Sequence, residues 1–168
     1  MNTATAKLRF GSLTVMSTII VLIVCLDQLT KYLGKLWLPY AEIIHVFPGF
    51  DLLRVHNAGA AFSFLNDAGG WQRWILAGIS LLVSLGIAVW LWRLPRKQIL
   101  LSLALSLILA GALGNLIDRV LWGFVVDFIS VYYAQWRFAT FNVADAAISI
   151  GAALLILDVF LNREKHGN

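Results

Sequence analysis

The sequence predicts an all-α integral membrane protein, with four transmembrane helices and short strands confined to an extracytoplasmic segment. Three observations carry that expectation. The 168 residues are 60% hydrophobic and only 13% charged, whereas soluble domains average roughly 45–50% apolar and about 25% charged. Mean hydropathy is +0.81. Four apolar runs of about 20 residues, the length that crosses a bilayer, recur along the chain. A disordered chain is excluded, because disorder needs low hydrophobicity and high charge. A water-soluble globule is disfavoured, because too few polar side chains exist to cover it. A single membrane domain over residues 1–168 is expected.

The first helix is expected over about residues 13–33, with Asp27 and Lys31 in its last third. Its apolar stretch exceeds the roughly 7–15-residue core of a cleaved signal peptide, and no small-x-small site precedes Asp27-Gln28, so it is expected to stay in the protein. Residues 34–70 form a first outer segment. Glu42–Phe47 and Asp51–His56 are rich in Ile, Val, Leu and Phe and are split by Pro48-Gly49, the pattern of two strands around a turn. Ala58-Gly59-Ala60-Ala61-Phe62 follows, its small residues permitting close approach of another backbone. The second helix is expected over 74–92, where Gly78-Ile79-Ser80 reads as a small-residue packing face. The third is expected over 99–122 and carries Asn115, Asp118 and Arg119 near its end. Residues 123–140 form an apolar, aromatic outer loop. The fourth helix, 141–160, opens on Asn142 and Asp145.

Charge sets the topology. The net charge of +4 comes from 13 Lys+Arg against 9 Asp+Glu. The basic residues are scattered or flank apolar runs, which points to membrane orientation and not to nucleic acid. Lys7 and Arg9, Arg93, Arg96 and Lys97, and Arg163 and Lys165 fall on one side of an even number of crossings. That side, with both termini, is expected to be cytoplasmic. Lys35, Arg54, Arg73 and Arg137 are spread thinly over the outer segments. Trp71, Trp74, Trp90, Trp92, Trp122 and Trp136 fall near helix ends, at headgroup level. The lone Cys25 allows no intramolecular disulfide and reads as a small buried hydrophobe. His45, His56 and His166 are too scattered for a metal site, so neither metal nor cofactor is expected.

The scarce carboxylates are the informative residues. Five of the nine, Asp27, Asp118, Asp127, Asp145 and Asp158, lie in or beside the most apolar stretches. Asp158 is an interfacial charge at the cytoplasmic end. The other four gather at the extracytoplasmic level, with Lys31, Asn115, Arg119 and Asn142. Asn115, Asp118 and Arg119 share one helix face, as do Asn142 and Asp145. Polar groups at membrane depth face the bundle or a wet cavity, because lipid leaves them unpaired. Asp118 and Arg119 are placed to neutralise one another or a neighbour. Asp127 and Asp145 have no cation close in sequence. Two such carboxylates in a low-dielectric site share one proton. Such a pair can activate water for peptide hydrolysis.

Several readings stay open on the residues alone. Asn142 or Asp145 can simply cap the fourth helix and Asp118–Arg119 can be a structural ion pair. A proton-coupled exporter would use Asp27 as its carrier, and a non-enzymatic assembly subunit would need none of the carboxylates. A Ser63–Lys31 dyad is a further alternative. HExxH and G-x-S-x-G motifs are absent from the sequence.

Five ordered blocks carry a resemblance. Asp27-Gln28-Leu29-Thr30-Lys31, Asn57-Ala58-Gly59-Ala60-Ala61-Phe62, Gly114-Asn115-Leu116-Ile117-Asp118-Arg119, Val125-Val126-Asp127-Phe128 and Phe141-Asn142-Val143-Ala144-Asp145-Ala146 resemble, in order and spacing, those of the lipoprotein signal peptidases (signal peptidase II). The resemblance covers nearly the whole chain. It implies an aspartic endopeptidase of the bacterial inner membrane, with its site at the extracytoplasmic face. It implies prolipoprotein substrates carrying diacylglycerol on the lipobox cysteine, cleaved just before that cysteine. The family's catalytic pair falls on Asp127 and Asp145. Its substrate-binding and supporting positions fall on Asn57, Asn115, Arg119 and Asn142, with Asp27, Lys31 and Asp118 in a layer behind them. An extracytoplasmic β-cradle, a loop cap and a short surface helix are also implied. So are inhibition by the cyclic peptide globomycin and contact with membrane lipids. A monomer is expected.

Overall fold

The computed structural model describes residues 3–59, 71–95 and 97–164, with side chains over 13–59, 71–95 and 97–162. Four helices and four strands follow in the order α1 (Thr3–Trp37), β1 (Ile43–Phe47), β2 (Phe50–Asn57), α2 (Gln72–Arg93), α3 (Ile99–Leu121), β3 (Val125–Tyr133), β4 (Trp136–Arg137) and α4 (Val143–Glu164). Each helix contains a stretch long and apolar enough to cross a membrane. The expected helices are all present, and α1 runs further at both ends than its apolar core. At 1.5 Å per residue its 35 residues span about 52 Å, well beyond a hydrocarbon core of about 30 Å.

The helices are not equivalent. In α3, 61% of the most apolar stretch is buried, against 6% in α1 and 17% in each of α2 and α4. The third helix is therefore the axis around which the others pack. Leu101, Leu105 and Leu109 of α3 meet Leu91 of α2 at the end away from the sheet. Against α4 the packing is backbone on backbone. A Cβ at Gly151 would stand 2.7 Å from the Ala104 carbonyl oxygen, and one at Gly111 would collide with the Ala144 carbonyl. Such small residues permit the close approach that lipid-embedded helices use for association. The Gly78 face of α2 does not play this part, since a Cβ there would meet nothing within 4 Å. Cys25 also departs from expectation. It is exposed on the outer surface of α1 and not buried.

The strands form one antiparallel sheet in the order β1-β2-β3-β4. The β1–β2 hairpin turns at Pro48-Gly49 as expected, with Phe47 opposite Phe50. Gly49 sits at φ 91°, a conformation that glycine adopts without steric cost. Val125–Tyr133 and Trp136–Arg137 are strands, where the sequence leads one to expect an outer loop. The run Val125–Tyr133 needs a partner to be a strand, and β2 supplies it from 70 residues away (Val55 opposite Asp127, Asn57 opposite Val125). Gly123, at φ 84°, ends α3 and turns the chain into β3. Phe141 then pairs with Ile129 in a reciprocal bridge, N to O distances 2.9 and 2.8 Å, which seats the start of α4 against β3. The expected small-residue stretch Ala60–Phe62, Ser63, the surface helix and loop cap within 60–70, and Arg96, Lys165 and His166 lie outside the described residues.

Candidate active site

Three elements deliver the site. Asp127 is the third residue of β3, Asp145 lies in the first turn of α4, and Asn115 projects from α3 to meet Asp145 and Asn142. Asp127, Asp145, Asn57, Asn115, Arg119 and Phe141 help to line one cavity of about 740 Å³. Asp127 is 2% exposed.

Every carboxylate oxygen of the pair accepts a hydrogen bond. Asn142 Nδ2 donates to Asp127 Oδ1 at 2.7 Å, and Asn57 Nδ2 donates to Oδ2 at 3.1 Å. Asn115 Nδ2 donates to Asp145 Oδ1 at 2.8 Å, and the Asn142 backbone N–H donates to Oδ2 at 3.2 Å. Each amide is also fixed in orientation, because its carbonyl oxygen is occupied. Asn115 Oδ1 accepts from Lys31 Nζ at 2.9 Å, Asn142 Oδ1 from the Asp145 N–H at 3.0 Å, and Asn57 Oδ1 from the Gly59 N–H at 3.1 Å. The three NH₂ groups must therefore face the carboxylates.

Asn142 and Asp145 also form a reciprocal capping box at the start of α4. The capping role and the site role weighed as rivals from the sequence coexist in one pair of residues. Among the described residues, neither Asp127 nor Asp145 makes an ion pair. Burial pushes the Asp127 carboxyl up to about 7, and the charge of Asp145 adds to the effect. The hydrogen bonds from Asn57 and Asn142 and the charge of Lys31 act against it.

Lys31, Asp27 and Asp118 form the layer behind. Lys31 Nζ lies 2.8 Å from Asp27 Oδ2 and 2.9 Å from Asp118 Oδ2, and all three side chains are almost wholly buried. Asp118 therefore does not pair with Arg119, its neighbour in sequence. Arg119 points the other way and donates to the Gly59 and Asn115 carbonyls at 3.1 and 3.4 Å. The two rear carboxylates also reach the backbone beside the front pair. Asp27 Oδ1 accepts the Ala144 N–H at 2.9 Å, one residue before Asp145. Asp118 Oδ2 accepts the Val126 N–H at 3.4 Å, one residue before Asp127. Lys31 thus holds Asp27 in a buried contact, unlike the free carboxyl that a proton carrier would need. Gln28 was missed as a site residue. It bridges Asp27, Asp118 and the Gly114 carbonyl at 3.0–3.2 Å. Its only signal was adjacency to Asp27. Among the described residues Asp158 accepts a local bond from Asn162 on α4. His45 lies beside Asp51 and His56 stacks on Phe124, and the described residues hold no group of three or more metal-ligating side chains.

Comparison with known proteins identifies the framework. The family described as Signal peptidase (SPase) II matches residues 19–161. The chain belongs to the signal peptidase II family. The lipoprotein signal peptidase of Acinetobacter baumannii (strain ATCC 17978) is 51% identical over 149 residues, covering 88% of this chain and 85% of that protein. That of Ectopseudomonas mendocina is 51% identical over 154 residues, covering 90% of each. A solved bacterial membrane enzyme, determined by the in meso method at 2.3 Å resolution, is similar with a TM-score of 0.82. It is 30% identical and covers 90% of this chain and 91% of its own. Membership of the signal peptidase II family makes the chain a peptidase and sets aside the readings as a non-enzymatic subunit or an exporter. The cavity wall holds a carboxylate pair, oriented amides and one guanidinium.

Proposed function

We propose that this signal peptidase II family member is an aspartic endopeptidase that removes signal peptides from diacylglyceryl-modified prolipoproteins, cutting before the lipidated cysteine. The observation that carries the reading is the carboxylate pair itself. Asp127 and Asp145 share one cavity wall, accept only hydrogen bonds, and have their one nearby lysine engaged by two other carboxylates.

In the proposed reaction Asp127 starts protonated, consistent with its elevated pKa of about 7. Asp145 takes a proton from water as the water oxygen bonds to the scissile carbonyl carbon. Asp127 gives its proton to the carbonyl oxygen, leaving a neutral tetrahedral diol. The diol collapses when Asp145 returns its proton to the amide nitrogen and the C–N bond breaks, while Asp127 regains a proton from one hydroxyl. The Asn57 and Asn115 amides hold the carboxylates through both half-reactions. Arg119 ties α3 to Gly59 and steadies the backbone next to Asn57.

The cavity sits at the end of the bundle that carries the sheet. Basic residues Arg93 and Lys97 mark the other end, so we place the site at the extracytoplasmic face of the inner membrane and both termini in the cytoplasm. A lipid-modified substrate then arrives sideways from the bilayer. All the groups named come from one chain, so a monomer suffices, and globomycin is the expected inhibitor. Reconstitution with a diacylglyceryl-modified prolipoprotein tests the reading. Asp127→Asn and Asp145→Asn are each expected to abolish the size shift while the protein still purifies folded. Full cleavage by either variant removes the dyad mechanism.

A further inference from the structure

Beside the sheet, positive charge collects that no described carboxylate pairs with. Three consecutive residues after α3 each touch a different base. Lys35 Nζ lies 4.3 Å from the centre of the Trp122 ring. Arg73 lies against Gly123, where an added Cβ would stand 2.8 Å from Nη1. His56 stacks on Phe124 with ring centroids 3.9 Å apart. Arg54 closes the group by donating Nη1 to the Lys35 carbonyl at 2.7 Å.

Among the described residues none of these bases forms an ion pair. Nε of both Arg54 and Arg73 is buried without an acceptor, a costly state for a donor. Burial, then the charges of Arg54 and Lys35, hold the His56 imidazole below its usual range. Lys35 and Arg73 thus flank the Trp122–Gly123 turn, with Arg54 beside Lys35, and the three cations lie over the Trp122, Trp74 and Tyr40 rings.

The surroundings select the occupant. The patch lies at the ends of α1 and α3 and the start of α2, among exposed Tyr40, Trp74 and Trp122, side chains that settle at headgroup level. From there an exposed apolar surface continues along the spanning helices through Tyr32, Leu29 and Leu121. A ligand with an anionic head and long apolar tails satisfies both halves, whereas free phosphate satisfies only one. We propose that Lys35, Arg54 and Arg73 form a binding site for the phosphodiester headgroup of an anionic phospholipid in the surrounding leaflet. Arginine suits this role, since its planar fork pairs two phosphate oxygens at once.

The site stands apart from the cavity, so its test does not depend on the cleavage chemistry. The full chain is reconstituted in bilayers of equal phosphatidylglycerol and phosphatidylcholine, extracted gently, and its retained lipid identified by native mass spectrometry. The wild type is expected to retain phosphatidylglycerol in preference. Lys35→Gln and Arg73→Gln, singly and together, are expected to weaken that retention about fivefold per charge removed. Arg93→Gln with Lys97→Gln, at the opposite end, is expected to leave it unchanged. Arg73→Gln removes no backbone contact and carries the test alone should the double variant misfold. Equal retention of the two lipids by the wild type, or undiminished phosphatidylglycerol on Arg73→Gln, overturns the proposal. Displacement by millimolar inorganic phosphate without any lipid preference overturns it as well, leaving a free-anion site.

Discussion

On the proposed mechanism Asp127 sets the alkaline limit of activity, and Asn57→Ala is the substitution expected to move it. Asn57 Nδ2 donates to Asp127 Oδ2 at 3.1 Å, and that bond favours the ionised carboxylate. Its removal therefore raises the Asp127 pKa above the present value of about 7. A hydrogen bond to a charged group is worth about 1.5–3 kcal/mol, and one pKa unit corresponds to about 1.4 kcal/mol. The bond is long for a charge-assisted one and Asn57 is half-buried, so the lower figure applies and the shift is about one unit. Activity needs the proton on Asp127, so the limb of kcat/KM that falls near pH 7 in the wild type is expected near pH 8 in the variant. The rate at the optimum is expected to fall, because Asn57 also holds the Gly59 N–H. The assay is cleavage of a diacylglyceryl-modified peptide in detergent between pH 5 and 9. A limb that stays in place, or moves to lower pH, refutes the assignment of Asp127 as the proton-bearing partner.

Three further outcomes are expected. Asp127 is protonated in the folded protein and ionised in the unfolded chain between pH 3.8 and about 7, so wild-type stability falls across that window and levels off above it, by up to about 4 kcal/mol. Asp127→Asn lacks this dependence, and thermal melts at pH 4 and pH 8 are expected to show the variant gaining on the wild type at the higher pH; parallel pH dependence contradicts it. Lys31→Met leaves Asp27 and Asp118 buried without their cation, a loss of about 3–5 kcal/mol. Its melting midpoint is expected to drop and cleavage to fall as Asn115 loses its restraint; an unchanged midpoint speaks against the ion cluster. Gly111→Ala drives a methyl into the Ala144 carbonyl, whereas Gly78→Ala meets open space. The first is expected to lower both stability and activity and the second neither, and equal behaviour in the same melts and cleavage assay argues against the α3–α4 contact.

The spanning helices were legible because hydropathy alone demands them, and the β1–β2 hairpin because Pro48-Gly49 punctuates two apolar runs. β3 was not legible. Its strand character depends on pairing with β2, and a continuous run buried on both faces lacks the alternation that marks a half-exposed strand. The carboxylate pair was visible from its lack of a neighbouring cation. The partner of Asp118 was not, because Arg119 stands next to it in sequence while Lys31 arrives from α1. Spacing of three residues between Asn142 and Asp145 serves equally for one helix face and for a capping box, so the sequence does not reveal that it serves both. Gln28 escaped notice because an amide beside an aspartate carries no signal of what lies across the bundle.

The Asp27–Lys31 pair has a consequence for how the protein is made. A charge at the centre of an isolated transmembrane helix costs roughly 2.5–3.5 kcal/mol on insertion scales, and α1 leaves the ribosome well before α3. Its acid stands four residues ahead of its base, the favourable order for a pair along one helix. The segment can therefore enter the bilayer already self-neutralised, without waiting for a partner. Asp118 arrives later and joins Lys31 as α3 docks. Only then can the Val126 N–H settle on Asp118 and the Ala144 N–H on Asp27. The strand and the helix that carry Asp127 and Asp145 are thus secured in the last steps of assembly. If the proposed dyad does the chemistry, a chain caught before that point holds no competent carboxylate pair, and the newborn membrane peptidase is expected to be inert until its helices have come together.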